Sequence, residues 1–180
     1  MFRLESYHGV ACDVTAISLA RTILALRHRM STAAHDAEWR RHIVDDDDGI
    51  TRVLDETHRI AVLGIKVEAD RPAHFVAEYA QKRGFEIVPV PVYYPDATTI
   101  LGEPVYRSVS AVPGDVDMVN VFRRSRDVAA HVDDIIAKRP KSVWLQLGIR
   151  DDASAERLAR AGIDVVQDRC LMVELGERGR

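Results

Sequence analysis

The stretch Arg59-Ile-Ala-Val-Leu-Gly64 decides the fold class, because it is a short apolar run that ends in glycine. A run of this kind indicates a strand that is buried on both faces of a parallel sheet. Residues 72–83 then have helical periodicity, with Pro72 suited to the first helical position and Gly84 to the stop. This part of the chain therefore reads as a strand, a turn and a helix.

The alternation of strand and helix continues towards the end of the chain. Apolar runs and periodic segments predict strands at 86–91, 116–122, 142–147 and 164–166, and helices at 125–138 (with Ser125 as a possible cap) and 151–161. Single helices between strands imply right-handed crossovers, and hence a mostly parallel sheet with helices on both faces. The predicted fold is a Rossmann-like, doubly wound α/β domain. Ligands of such folds bind beyond the carboxyl ends of the strands, where the strand order reverses.

Composition narrows the class of protein further. The 180 residues, 47% apolar and 29% charged, are typical of one soluble globular domain. Lys and Arg total 25 against 28 for Asp and Glu, so the net charge of -3 predicts neither a nucleic-acid partner nor binding to an anionic membrane. Cys12 and Cys170 lie far apart without a CxxC pair, which argues against a disulfide framework or a zinc site. Because the sequence contains no export signal or membrane span, we expect a cytoplasmic protein.

The predicted domain occupies residues 50–174, between an N-terminal extension over 1–49 and a charged tail over 175–180. Two interpretations of residues 1–29 stay open: an extension upstream of the native start, or an amphipathic helix that packs on the domain. The aspartate run at 45–48 is interpreted as the solvated start of a helix over 49–58. Four adjacent side chains diverge, so we do not expect them to share a metal ion.

Positive charge follows two of the predicted strands. Gly64 permits a sharp turn, and Lys66 and Arg71 come just before the next helix, an arrangement that suits either a phosphate cradle or a simple strand-to-helix turn. Arg123 and Arg124 leave the strand at 116–122, where they either pair with phosphate groups or are solvated charges that flank a helix. Their position beside the reversal of strand order favours the phosphate interpretation.

The other strand ends are less polar. Val90, Val92 and Tyr93 close the second strand, where they line an adenine pocket or simply belong to the core. No carboxylate stands there, as the ribose of NAD would require. Gln146, at the end of a later strand, either hydrogen-bonds a ligand or satisfies the backbone of a loop.

Six segments, taken in order, are informative together: IAVLGIKVEADRP (60–72), GFEIVPVPVYYP (84–95), ILGEPVYRSVSAVP (100–113), VDMVNVFRRS (116–125), VWLQLGI (143–149) and GIDVVQDRCLMVE (162–174). As a set they resemble the CoA-binding domain family. Its members look like the N-terminal CoA-binding domain of the succinyl-CoA synthetase alpha subunit, standing alone. The resemblance covers residues 50–174 and implies a Rossmann-like domain that binds coenzyme A or an acyl-CoA in the crevice at the strand ends.

The resemblance also implies which residues hold coenzyme A. They are Gly64, Ile65 and Lys66 in the phosphate-approaching loop, Arg71 and Pro72 at the helix entry, Val90, Pro91, Val92 and Tyr93 along the nucleotide, Val121, Phe122, Arg123 and Arg124 facing the pyrophosphate or pantetheine arm, and Gln146 at the neighbouring strand end. Many relatives carry a small residue at Ile65 or Lys66, and Asn-Pro where this chain has residues 92–95, so the resemblance leaves the details of the contacts to adenine and ribose open. The synthetase's second domain, with its phosphorylated histidine, has no room in this chain. The resemblance therefore implies binding without ligase chemistry.

Two other functions stay open. The chain could be a small NADP-dependent oxidoreductase, with Arg123 or Arg124 at the 2′-phosphate, or a regulatory subunit with a vestigial nucleotide pocket. No sequence motif for nucleophilic or metal-assisted catalysis occurs, and we predict no catalytic residue. His74 is the histidine to watch, because it lies near the expected phosphates. Cys170 is interpreted as a structural thiol, with a mixed disulfide to coenzyme A as the sharper hypothesis.

Overall fold

The computed structural model describes residues 38–179, and at its centre is a six-stranded sheet. Its strands are β1 (Ile43–Val44), β2 (Arg59–Leu63), β3 (Glu86–Val90), β6 (Met118–Val121), β7 (Ser142–Leu145) and β8 (Asp164–Val166); β4 (Thr99–Ile100) and β5 (Glu103–Pro104) form a separate antiparallel hairpin. The order in the sheet is β1-β8-β7-β6-β2-β3, and every neighbouring pair is parallel. The predicted parallel α/β sheet is confirmed.

Helices cover both faces of the sheet, as predicted. They are α1 (Asp47–Asp55), α2 (Pro72–Lys82), α3 (Ser125–Val128), α4 (Val132–Lys138), α5 (Asp152–Arg160) and α6 (Leu171–Glu177). Successive residues of a strand point to opposite faces. On β2, Ile60 and Val62 therefore pack in one core cluster with α1, α2 and α6, whereas Ala61 and Leu63 pack in the other cluster with α3, α4 and α5. The doubly wound, Rossmann-like architecture follows from this division.

The strand order reverses at β2. This strand pairs with β3 on one side and with β6 on the other, so the chain moves outward in opposite directions from the β2–β6 pair. Such a reversal opens a crevice at the carboxyl ends of the two strands, because the following connections turn to opposite faces. We call this end of the sheet the carboxyl edge and the opposite end the amino edge.

The structured domain starts earlier than the predicted boundary at residue 50. β1 adds to the sheet beside β8, and α1 begins at Asp47 because the Asp46 side chain caps it by accepting a hydrogen bond from the Gly49 N–H at 2.7 Å. The two residues of β1 are too few to show a strand pattern in the sequence. The aspartate run thus starts a helix, as predicted.

The C-terminal boundary also differs from the prediction. Residues 175–180 do not begin a charged tail, since α6 runs from Leu171 to Glu177 and Leu175 is fully buried. The predicted helix at 125–138 is interrupted by a 3-10 turn, Ala129–His131, and Ser125 does not cap it through its side chain. The Ser125 hydroxyl instead accepts a hydrogen bond from the Arg150 N–H at 3.1 Å.

Several expectations concern what the chain lacks. No helix within the described residues is long and apolar enough to cross a bilayer. In the same part of the chain, no group of His, Cys, Asp and Glu side chains could hold a metal ion. The expectations for residues 1–29 and for Cys12 lie outside the described residues.

Candidate functional site

Gly64 joins the ends of three strands at the crevice. Its φ of +86° is a left-handed conformation, and a Cβ atom there would lie 2.5 Å from the backbone oxygen of Phe122. The Gly64 N–H donates to the carbonyl of Val90 at 2.8 Å, and the Phe122 N–H donates to the carbonyl of Leu63 at 2.8 Å. Only glycine fits this close approach, which holds the loops after β2, β3 and β6 together.

Three side chains from these loops meet above the glycine. The Lys66 ammonium lies 4.2 Å from the centre of the Tyr93 ring, and the Arg123 guanidinium carbon lies 5.6 Å from the same centre. Cations at such distances are attracted to the face of an aromatic ring. We call Lys66, Tyr93 and Arg123 the cation–tyrosine cluster. It brings together one predicted residue from each of three predicted segments.

The two cations of the cluster keep much of their charge available. Within the described residues no carboxylate lies within ion-pair distance of Lys66, and Arg123 has a single such partner, Asp127 at 3.6 Å. The Arg123 Nε–H is buried and has no hydrogen-bond partner in the same part of the chain. A buried, unpaired donor on a cation is costly unless an acceptor completes it. The arrangement therefore suits an anion such as a diphosphate.

The neighbouring cations affect the acidity of the Tyr93 phenol. Hydrogen bonding by Arg123 is the main reason why the Tyr93 pKa is lowered from its usual value, and the charges of Arg123, Lys66 and Arg124 act in the same direction. Tyr93 is itself exposed, with 55% of its surface accessible. An exposed aromatic ring flanked by cations can stack on a planar ligand group while the cations take its phosphates.

Tyr94 and Glu68 form a hydrogen-bonded pair next to the cluster. The Tyr94 hydroxyl donates to Glu68 Oε2 at 2.5 Å, which lowers the pKa of Glu68 and raises that of Tyr94. Tyr94 has a φ of +65°, a conformation that a non-glycine residue seldom adopts. Arg107 holds this loop, because its guanidinium donates to the carbonyls of Tyr94, Pro95 and Ala97.

A pocket of about 430 Å³ opens beside the cluster, at the ends of β2 and β3. Its lining is Leu63, Val90, Pro91, Val92, Tyr93, Pro95, Arg107, Ser108, His131 and Asp134. The lining combines apolar side chains with a few polar ones, which is the usual composition of a small-molecule site. The predicted adenine-pocket residues Val90, Val92 and Tyr93 all line this pocket. Val90 is also a core residue, at 1% exposure.

The other predicted residues differ in how far they are exposed. Ile65 and Val121 are core residues whose side chains are buried, so they offer a ligand only their backbone. Phe122 is half-buried and packs against the core cluster that contains α1, α2 and α6. Arg71 and Pro72 lie exposed at the start of α2. Arg124 is exposed and directly precedes α3.

Gln146 is engaged within the protein. Its side-chain NH2 donates to Asn120 Oδ1 at 2.9 Å, and its carbonyl oxygen accepts from the Leu171 N–H at 3.3 Å. Only 4% of the residue is exposed. The structure thus favours the second of the two interpretations, in which Gln146 satisfies backbone at the start of α6.

Two other residues singled out in the sequence lie near the strand ends. His74 Nδ1 lies 2.9 Å from the carbonyl oxygen of Lys66, so this histidine braces the loop after β2. Cys170 is a free, half-buried cysteine that directly precedes α6. Neither observation assigns a chemical step to these side chains.

Sequence reasoning missed six residues that line the pocket: Leu63, Pro95, Arg107, Ser108, His131 and Asp134. His131 belongs to a segment predicted as unbroken helix, where a histidine is more often a surface residue. The 3-10 turn at Ala129–His131 instead brings it to the pocket. Asp134 accepts hydrogen bonds from the Val109 and Ser110 N–H groups at 2.7 and 3.1 Å, and so holds the loop that carries Ser108.

Known proteins are similar to this chain in sequence and fold. The uncharacterized protein YneT of Bacillus subtilis (strain 168) is 32% identical over 124 residues, which are 69% of this chain and 90% of YneT. The structure of cell-free ID.343 from Thermus thermophilus is 36% identical, with a TM-score of 0.68, over 74% of this chain and 98% of that one. A dinucleotide-forming acetyl-coenzyme A synthetase 1 of Ca. Korarchaeum cryptofilum, solved with phosphate and ADP, shares the fold alone. It is 21% identical, with a TM-score of 0.54, over 62% of this chain and 26% of that chain.

The family profile described as "CoA binding domain" matches residues 58–176. This range begins just before β2 and ends within α6, so it includes the crevice, the cation–tyrosine cluster and the pocket. It also covers more than half of the chain. The chain therefore belongs to the CoA-binding domain family.

Proposed function

We propose that this protein binds coenzyme A or an acyl-CoA at the carboxyl edge of its sheet. The observation that carries the proposal is the convergence of Lys66 and Arg123 on Tyr93 at the reversal of strand order, beside the 430 Å³ pocket. Coenzyme A combines a diphosphate with an adenine base. The two parts of the site match these two parts of the ligand in charge and polarity.

The cationic part of the site would hold the diphosphate. Arg123 offers a buried N–H without a partner, and Lys66 offers an ammonium group that contacts aromatic rings rather than a carboxylate in the described part of the chain. Arg71 and Arg124 add exposed positive charge at the starts of α2 and α3. Charge-assisted hydrogen bonds of this kind are about twice as strong as neutral ones.

The pocket would hold the adenine. Val90, Pro91 and Val92 form an apolar wall, and the exposed ring of Tyr93 stands between this wall and the cations. A ligand that lies across Tyr93 can thus place its base in the pocket and its diphosphate on the cluster. The family assignment supports the same class of ligand.

The proposal concerns binding and assigns no ligase chemistry to this chain. We also propose that the protein is cytoplasmic, as expected from the sequence.

A ligand panel tests the proposal directly. Calorimetric titration and thermal melting with coenzyme A, acetyl-CoA, NADP and ATP would rank the four ligands. We expect coenzyme A or acetyl-CoA to bind most tightly and to raise the melting temperature, because a ligand that binds only the folded state stabilises it. Absence of a shift with folded protein at millimolar coenzyme A would contradict the proposal. Tighter binding of NADP would favour the oxidoreductase alternative, and no binding of any of the four would favour a vestigial pocket.

Charge reversal tests the location of the site. We expect Lys66→Glu and Arg123→Glu each to weaken coenzyme A binding by tenfold or more, since each replaces attraction of a phosphate by repulsion. Lys82→Glu is the matched control, because it makes the same change in net charge at the exposed C-terminal end of α2. Unchanged affinity in both site variants would move the site elsewhere on the protein.

A further inference from the structure

His131 occupies an unusual place in the fold. It ends the 3-10 turn Ala129–His131, which separates α3 from α4, and its side chain lines the pocket together with Asp134 and Tyr93. No hydrogen bond joins its ring nitrogens to any residue among 38–179. A mid-helix 3-10 stretch often marks a functional hinge or a sequence under strain. Here it presents an imidazole with unused nitrogens to a ligand-sized space.

Charged groups approach His131 from every element around it. Burial is the main reason why its pKa is lowered, and the positive charge of Arg123, on the loop after β6, lowers it further. Asp127 of α3 and Asp134 of α4 act in the opposite direction. Tyr93 and Arg107 also line the pocket.

Both carboxylates near His131 already have other partners. Asp127 lies 3.6 Å from the Arg123 guanidinium, and Asp134 accepts hydrogen bonds from two backbone N–H groups of residues 109–110. Neither forms an ion pair with the imidazole within the described part of the chain. Burial and the charge of Arg123 thus lower the pKa of His131 in the free protein, which favours its neutral form.

We propose that His131 is a ligand-contacting residue of this pocket, and that its imidazole takes up a proton when an anionic nucleotide binds. The inference rests on the proposed function, because it takes the diphosphate to lie on Arg123. A bound diphosphate offsets the charge of Arg123 and adds negative charge nearby. Both effects stabilise the imidazolium form, which can then donate a hydrogen bond to the ligand.

The direction of the pH dependence follows from linkage. A ligand whose binding raises the proton affinity of a histidine binds more tightly as the pH falls through the range of that histidine. An unperturbed histidine titrates near pH 6.5. Uptake of one full proton would increase affinity about tenfold per pH unit, so we expect a three- to tenfold fall in Kd between pH 8 and pH 6.

Dephospho-CoA is the probe for the experiment. It keeps the diphosphate and adenine of coenzyme A but lacks the 3′-phosphate, whose own titration in this range would obscure that of the protein. Calorimetry at pH 6.5, in buffers of low and high ionisation enthalpy, measures the number of protons taken up on binding. We expect about half a proton per ligand for the unsubstituted protein, none for His131→Gln, and an unchanged value for His58→Gln. His58 is an exposed histidine at the amino edge, and so serves as the matched control.

A second measurement does not depend on the folding of a variant. The ring-proton NMR signals of His131 can be titrated in the unsubstituted protein with and without dephospho-CoA, and we expect a higher pKa in the complex. Binding without proton uptake, or uptake that persists in a folded His131→Gln protein, would overturn the inference and leave the proposed function intact. Failure of both dephospho-CoA and coenzyme A to bind at any pH would overturn the proposed function and this inference together.

Discussion

The two ends of the same sheet use charge in opposite ways. At the amino edge, Asp117 accepts hydrogen bonds from the His58 and Arg59 N–H groups at 3.0 Å each, and pairs with Lys141 at 2.8 Å. Arg59 in turn pairs with Glu86 at 2.7 Å. At the carboxyl edge, Lys66 and Arg123 lie against the Tyr93 ring, and within the described residues only Arg123 has a carboxylate partner, Asp127 at the longer distance of 3.6 Å.

This difference separates stability from binding. Charges that are paired within the protein hold neighbouring strands in place, and have little attraction left for a ligand. Charges that rest on an aromatic ring keep most of their attraction for a phosphate, and add little to stability. Substitutions at the amino edge should therefore change stability, whereas charge substitutions at the carboxyl edge should change affinity.

The largest effect on stability is expected at Gly64, where the carboxyl edge depends on a close backbone contact. Gly64→Ala places a Cβ atom 2.5 Å from the Phe122 carbonyl oxygen, so backbone must shift in addition to the strain of a positive φ. The matched control is Gly84→Ala, which has a φ of +92° but nothing within 4 Å of the new atom. We expect the control to cost about 1 kcal/mol of unfolding free energy, and Gly64→Ala about 1–3 kcal/mol more. Urea unfolding of the two variants measures both values.

Gly64→Ala should also abolish coenzyme A binding, because it separates the loops that carry Lys66 and Arg123. Equal stabilities of the two alanine variants would show that the contact between Gly64 and Phe122 is looser than described. If Gly64→Ala kept its affinity for coenzyme A, the binding site would lie outside this crevice.

A smaller effect is expected at the amino edge. Asp117→Ala removes the acceptor of two backbone N–H groups and the partner of Lys141, and we expect a loss of about 1–3 kcal/mol with no change in coenzyme A affinity. Urea unfolding and calorimetric titration of the same variant test the two parts of this statement.

The contribution of Asp117 also has a defined pH dependence. Burial alone would raise its pKa, but the hydrogen bonds from Lys141, Arg59 and His58 outweigh burial and lower it. A carboxyl group with a lowered pKa in the folded state stabilises the fold fully above its unfolded pKa of about 3.9. The stability gap between the unsubstituted protein and Asp117→Ala should thus be constant from pH 7 to pH 5 and shrink as the pH falls below 4. A gap that widens on acidification would contradict this account.

The smallest effect is expected in the alkaline titration of two adjacent tyrosines, Tyr93 and Tyr94, which is measured by absorbance. The pKa of Tyr93 is lowered by Arg123, whereas that of Tyr94 is raised by its hydrogen bond to Glu68. Absorbance titration at alkaline pH should lose an early component in Tyr93→Phe and a late component in Tyr94→Phe. Bound coenzyme A should delay the early component, because a diphosphate offsets the charge of Arg123. The same titration curve for both variants would show that the two phenols experience the same field.

Much of the fold could be predicted because its signals are local. The apolar run of β2 and the Pro72 and Gly84 limits of α2 are visible in the sequence, and the structure places the strand and the helix there. Lys66, Tyr93 and Arg123 could be identified from the sequence for the same reason, since each follows a predicted strand. The parallel sheet then brings strand ends together without further information.

The missed features depend on tertiary packing. In α6, the buried residues include Glu174, whose carboxylate pairs with Arg169 and Arg178, so a charge interrupts the apolar pattern of the helix. At His131 neither glycine nor proline marks the break between α3 and α4. The role of Gln146 was undecidable from the sequence, because its partner Asn120 lies 26 residues away on the neighbouring strand.

Both outer strands of the sheet limit its growth by association. β1 has only two residues, and β3 carries Pro89, which has no N–H to offer a further strand. The carbonyl of Pro89 already accepts a hydrogen bond from the Tyr106 N–H at 3.0 Å, so the chain itself covers that side of β3. A second copy of the described domain consequently finds no long, unpaired strand against which to add its own. Any self-association of this domain would have to use its helices and loops rather than a continued sheet.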